Sequence, residues 1–198
     1  MAELVPTLVD MTPKLTTRER IVAEAAVLTT GAGWAGVTMA KLADRVGVSR
    51  QTVYNEVGGK EQLAEAMILG ELDRFLSLVT EAFDAHPEDL LAAIREACTG
   101  VLHLAQDNHL LKAVVSATHG ADTELLPLLT THSESLLTAA KDVVRDRVLY
   151  YHLPMTDERL DAAIDAVVRV VLSHVMQPSA SPEETAEDIA WIASRVLR

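Results

Sequence analysis

The chain has 198 residues, 49% hydrophobic and 23% charged, which is enough to bury a core in one or two domains and too apolar for a disordered segment. Nine Gly, seven Pro and few aromatic residues, beside abundant Ala, Leu and Val, favour an all-α protein. A net charge of −12 argues, taken alone, against a nucleic-acid partner, because phosphate binding calls for a basic footprint.

In chain order, residues 1–11 carry Glu3, Pro6 and Asp10 in place of a basic start and an apolar block, and so read as a flexible tail and not a secretory leader. The longest uncharged run, residues 25–40, holds three glycines and falls short of the roughly 18 apolar residues a membrane span needs. A lone cysteine, Cys98, excludes an internal disulfide framework and fits a reducing compartment. These features predict a soluble, cytoplasmic protein with no membrane partner.

The first predicted helix covers residues 16–30, with Ile21, Ala25 and Leu28 on one face and Arg18, Glu19 and Glu24 away from it. It ends in the glycine-rich stretch 31–36. Thr38 caps a second helix with Leu42, Ala43 and Val46 inward; Gly47 closes it, and Ser49 caps a short third from Arg50 to Val57. Gly58 and Gly59 separate that helix from a long one over 60–85. Further helices are expected over 88–107, 109–119, 123–151, 157–176 and 182–197, about nine in all, with no convincing strand.

The average charge hides an asymmetry. Residues 13–66 hold seven basic against six acidic side chains, so this part carries +1 and the remainder −13. A near-neutral module on an acidic body suggests two parts with different partners. Within that module, residues 38–54 place two short helices across Gly47, with Ala43, Val48 and Val53 sized for a steep packing angle. The second of them presents Arg50, Gln51, Thr52 and Asn55 outward, all able to hydrogen-bond to base edges or phosphates.

From Thr17 to Leu69 the sequence resembles the TetR family of bacterial transcriptional regulators, through Arg20-Ile21, Gly33-Trp34, Val37-Thr38, Leu42-Ala43, Gly47-Val48-Ser49, Val53-Tyr54 and Lys60-Glu61. The resemblance implies a homodimer of all-α subunits, each with a helix-turn-helix domain, here 13–62, and a helical ligand-binding and dimerisation domain, here 63–198. It implies contacts to double-stranded DNA from Thr38, Ser49, Arg50, Gln51, Thr52, Tyr54, Asn55 and Lys60, with a palindromic operator and a small-molecule effector. Two departures stand out: Glu56 and Val57 replace the usual His and Phe, and Gly59 replaces a serine cap. Glu56 is expected to turn away from phosphate.

In the acidic body, Phe83, Leu102, His103, Leu110, Val114, Thr118 and His119 are candidates for a ligand cavity if the resemblance holds. Gly100, inside a helical stretch, marks either a close helix crossing or a pocket wall. Leu160, Ile164, Val167, Val168, Val171 and Val175, with Ile189, Ile192 and Val196, form broad apolar faces that the resemblance assigns to the dimer interface, while Asp157, Asp161 and Asp165 mark an opposite, solvated side. The seven histidines lack metal-ligand spacing, and neither a nucleophile elbow nor a phosphate loop is present, so no metal, cofactor or catalytic residue is expected. Two other classes stand behind the ligand-released repressor: a regulator controlled by a partner protein, and a helical enzyme with a helix-turn-helix-like start.

Overall fold

The computed structural model describes residues 15–116 and 134–197. Among them are nine α-helices and no strand: α1 (Thr17–Ala32), α2 (Met39–Val46), α3 (Arg50–Val57), α4 (Lys60–Ala85), α5 (Leu90–Asp107), α6 (His109–Ser116), α7 (Glu134–Val148), α8 (Asp157–Met176) and α9 (Pro182–Val196). Thr118, His119 and the start of the helix expected over 123–151 lie outside the described residues.

The boundaries follow from capping chemistry. Thr16 and Glu19 satisfy each other's backbone donors at the start of α1, and Ser181 and Glu184 do the same for α9, with Pro182 at its first position. α5 begins two residues later than its periodicity suggests, because the Asp89 side chain accepts from Ala92 N at 3.0 Å and so acts as the cap. At α4 the glycine in the cap position has no side chain to offer, but Gln62 Oε1 accepts from Gly59 N at 2.9 Å.

Two cores result. The first joins α1–α3 and the start of α4 around Ile21, Leu42, Val53 and Leu63, all 0% exposed, with Trp34 beside them. The second fills the body, where α5 packs against α4, α8 and α9. Small residues face that packing: Ala93 and Ala97 of α5, and Ala186, Ala190 and Ala193 of α9, are buried in it. Gly100 faces Leu78 of α4, whose Cβ would stand 3.8 Å from a methyl group placed there, so it marks a helix crossing and not a cavity wall.

The acidic stripe of α8 is solvated at Asp157 and Asp161 and half-buried at Asp165, and it also pairs with α7. Lys141 Nζ lies 3.0 Å from Asp165 Oδ1, and Arg145 pairs with both Asp161 and Asp157, so two basic residues four apart on α7 meet three acidic residues four apart on α8. The two helices run antiparallel through a short connection, in which Tyr151 OH donates to the His86 carbonyl at 2.6 Å and its ring meets Phe83 edge-on.

Candidate nucleic-acid interface and cavity

Gly47 ends α2 in the left-handed conformation (φ 76°, ψ 40°), and both its N–H and that of Val48 reach the Ala43 carbonyl, at 2.9 and 3.0 Å. The turn this makes is tight enough for Ser49 to cap α3 at once, its Oγ accepting from Thr52 N at 3.0 Å. Thr38 caps α2 similarly through Lys41 N at 3.2 Å. Val53 and Val57 then anchor α3 in the core, and this leaves Arg50, Gln51, Tyr54 and Asn55 exposed and Thr52 half-buried. Gln51 Nε2 donates to Asn55 Oδ1 at 2.9 Å, which sets both amides on one face.

The module is braced from behind. Arg20 donates to the Val46 carbonyl at 2.6 Å and Arg18 to the Glu56 carbonyl, so α1 supplies cations to the C-terminal ends of α2 and α3, where carbonyls lack intrahelical donors. Lys60 Nζ lies 4.8 Å from the centre of the buried Trp34 ring, an attraction between cation and π-face that holds the ammonium at the start of α4.

A cavity of about 230 Å³ lies in the body between α4, α5, α6, α7 and α8. Its walls are almost wholly apolar; from α4 it takes Ile68, Leu72, Phe75, Val79 and Phe83, one stripe of the helix. Two polar side chains reach it, Glu71 and Asn108. Asn108, 6% exposed, donates from Nδ2 to Glu71 Oε2 at 2.5 Å and accepts from Leu111 N at 2.8 Å. Arg74 reaches both Glu71 oxygens at 3.1 Å. Neither polar residue stands out in the sequence by motif, although Glu71 falls in phase with the apolar stripe of α4, where a carboxylate needs an explanation. Cys98 also lines the cavity, and burial pushes its thiol up to about 12.

Of the ligand candidates, Phe83 and Leu110 line this cavity. Leu102 does not: it is buried toward a neighbouring cleft of about 470 Å³ whose walls include the polar side chains of Gln106, Asp107, Lys112 and His174. His103 points outward and meets Glu183 at 2.6 Å. Val114 lies on α6 with its side chain outside the described residues, as are Thr118 and His119 entirely.

The expected dimer face divides three ways. Leu160, Ile164, Val168 and Ile189 are buried in the subunit's own core, Val167, Val171 and Val175 are half-buried and line the cavity with Val168, and only Ile192 and Val196 stay exposed, at 45% and 52%. α8 is apolar around most of its circumference, so its sequence period does not say which stripe faces inward. Val170, Leu172 and Trp191 are the exposed large apolar residues on α8 and α9 that periodicity missed, Trp191 with Arg195 stacked 5.4 Å from its ring centre. Among the described residues no group of three His, Cys, Asp or Glu could hold a metal ion, and no helix is long and apolar enough to cross a membrane.

The fold and site define a helix-turn-helix protein whose reading module is joined to a cavity-bearing helical body. Residues 21–67 match the family described as bacterial regulatory proteins, tetR family, and residues 89–195 match the bacterial tetracyclin repressor C-terminal domain. The chain belongs to the TetR family of transcriptional regulators, DNA-binding proteins of the repressor type and not enzymes. Members of this family dimerise and bind small-molecule effectors. The HTH-type transcriptional regulator AlkX of Mycobacterium tuberculosis is 27% identical over 157 residues, 79% of this chain and 74% of that protein. The TetR family repressor AlkX from a Dietzia species, implicated in biodegradation of n-alkanes, superposes with a TM-score of 0.73 at 24% identity, over 91% of this chain and 95% of that one. The fatty acid degradation regulator FadR from Bacillus halodurans does so with a TM-score of 0.56 at 18% identity, over 91% and 95%. At these identities the two structures speak for a shared fold.

Proposed function

We propose that the chain is a homodimeric repressor that holds a palindromic operator with α3 of each subunit and lets go when a small apolar molecule fills the cavity. Arg50 and Gln51 read base edges. Ser49, Thr52 and Asn55 support them on the same face, and Thr38, Tyr54 and Lys60 fix the register on the phosphates. The acidic body repels DNA elsewhere, which confines binding to this face.

The observation that carries the reading is Leu110. This α6 side chain is 5% exposed, packs in the core of the helix-turn-helix domain and also lines the cavity. An occupant that displaces it must disturb the seat of the reading module, so the two sites are physically coupled. Release further requires that the ligand bind the displaced arrangement more tightly than the DNA-bound one. The apolar walls favour a hydrocarbon-like effector, in keeping with the relative implicated in n-alkane degradation.

Dimerisation would cover Val170, Trp191, Ile192 and Val196, which with Leu172 are the exposed large apolar residues of α8 and α9. The test is selection of bound sequences from a random double-stranded DNA pool at one stated salt concentration, with Gln51→Ala and Tyr54→Ala alongside. A palindromic motif, relaxed in the variants, supports the reading and supplies the operator for release assays; no enrichment by the wild type overturns it.

A further inference from the structure

The polar end of the cavity constrains the effector's head group. Leu111 N donates to Asn108 Oδ1 at 2.8 Å, so the amide cannot be turned around, and Nδ2 must be the atom that faces Glu71. One of its two hydrogens goes to Glu71 Oε2; the other has no partner among the described residues. Glu71 accepts from Arg74 and Asn108 and, with about four lone-pair sites on a carboxylate, keeps room for one more donor. The pair therefore offers a ligand one acceptor and one donor, side by side.

Charge narrows the choice. Among the described residues lining the cavity there is no Lys, Arg or His, and Arg74, which neutralises Glu71 by reaching both of its oxygens, is 59% exposed and not part of the lining. An anionic head would meet the Glu71 carboxylate in an apolar surrounding with no cation of its own among the described lining residues, and like charges there are costly. A cationic head would pair with Glu71, but Arg74 already neutralises that carboxylate, so the ammonium would shed its hydration for little net gain and leave the spare Asn108 hydrogen without an acceptor. A neutral hydroxyl matches both groups, donating to Glu71 and accepting from Asn108.

The body of the ligand follows from the shape. The α4 stripe from Ile68 to Phe83 is about 22 Å long at ~1.5 Å per residue, and apart from Glu71 the residues it gives to the cavity are apolar, a wall suited to an extended hydrocarbon tail. We propose that the effector is a neutral, unbranched, medium-chain alcohol, or a molecule that ends like one, its hydroxyl seated between Glu71 and Asn108. The assignment rests on the effector-controlled reading above. It also places the occupant's polar end beside the Asn108–Glu71 hydrogen bond that ties the start of α6 to α4, two residues from Leu110, where a seated ligand bears on the module.

The test is calorimetric titration of the full chain with 1-octanol, octanoate and octylamine at neutral pH, repeated on Glu71→Gln, with melting temperatures to show that each protein is folded. Octanol is expected to bind at least tenfold more tightly than either charged analogue. Glu71→Gln is expected to narrow the octanol-to-octanoate ratio by tenfold or more, since the variant keeps the shape and drops the charge. Val171→Phe, which fills the cavity from α8, is expected to weaken all three. Octanoate or octylamine binding as tightly as octanol, or a ratio that Glu71→Gln leaves unchanged, overturns the head-group assignment and leaves the effector-controlled reading standing. Binding of none of the three by folded wild type, or binding indifferent to Val171→Phe, overturns the cavity as the ligand site itself.

Discussion

The guanidinium of Arg20 donates to the carbonyl oxygen of Val46 at 2.6 Å, which closes α1 onto the end of α2 one residue before Gly47 turns the chain into α3. The bond sets the angle between the scaffold helix and the reading pair. Arg20→Ala leaves that carbonyl without its cation, so the variant is expected to lose about 1–2 kcal/mol of stability in urea unfolding and to bind operator DNA more weakly without a change in sequence preference. A relaxed preference would place Arg20 among the base-reading residues instead.

On the proposed reading, Gln51 and Lys60 make two different kinds of contact with DNA. Gln51→Ala is expected to relax the preference at one operator position by about 1–3 kcal/mol. Lys60→Ala is expected to weaken all sequences alike and to reduce the salt slope of log K by about one. Fluorescence anisotropy over a salt series, with operator and scrambled duplexes, tells them apart.

The α7–α8 seam should respond to acid. The Asp165 carboxyl is held below its ordinary range, first by the hydrogen bond from Arg169 and then by that from Lys141. A carboxyl lowered on folding contributes stability above its unfolded value, about 3.9 for Asp, and loses it as pH falls through the lower folded value. The stability gap between wild type and Asp165→Asn is therefore expected to be flat from neutral pH down to roughly pH 5 and to close under acid below about pH 4. Urea unfolding across that range checks it; a gap that widens in acid contradicts the pairing.

Gly100 offers a gain. Its place in the middle of α5, with Leu78 at an ordinary contact distance of 3.8 Å from an added methyl group, leaves room for Ala. Gly100→Ala is expected to stabilise by about 1 kcal/mol, a rise of roughly 2–4 °C in Tm for a chain of this size. Differential scanning calorimetry reads it directly.

Ile192 and Val196, 45% and 52% exposed one helical turn apart, test the proposed dimer. Ile192→Glu with Val196→Glu places charge on that strip without touching the subunit core, so sedimentation is expected to show the variant as a folded monomer with much weaker operator binding. A variant that remains dimeric puts the interface elsewhere.

The reading module was legible because its geometry depends on residues with few substitutes. Gly47 takes a conformation that other side chains rarely adopt, and Thr38 and Ser49 are helix caps whose positions fix both helix starts. The body was less so. Leu160, Ile164 and Val168 have the same chemistry whether they face a partner or their own core, and only tertiary packing decides between them. The acidic stripe of α8 reads as solvated, and Asp157 and Asp161 are exposed, but its pairing with Lys141 and Arg145, also four apart, emerges only in the fold. His103, expected at the cavity, lies at the surface with Glu183, whereas Asn108, at the break between two predicted helices, is a buried polar group of the cavity.

Cys98 is the chain's one thiol, and it lines the cavity. Only the thiolate reacts with alkylating reagents, and a thiol raised to about 12 and screened by packed helices is all but silent at neutral pH. Each alkylation event therefore records a moment when the wall of the cavity parted. The protein carries its own clock for breathing, with a single site and no engineered label, and an occupant of the cavity is expected to slow it.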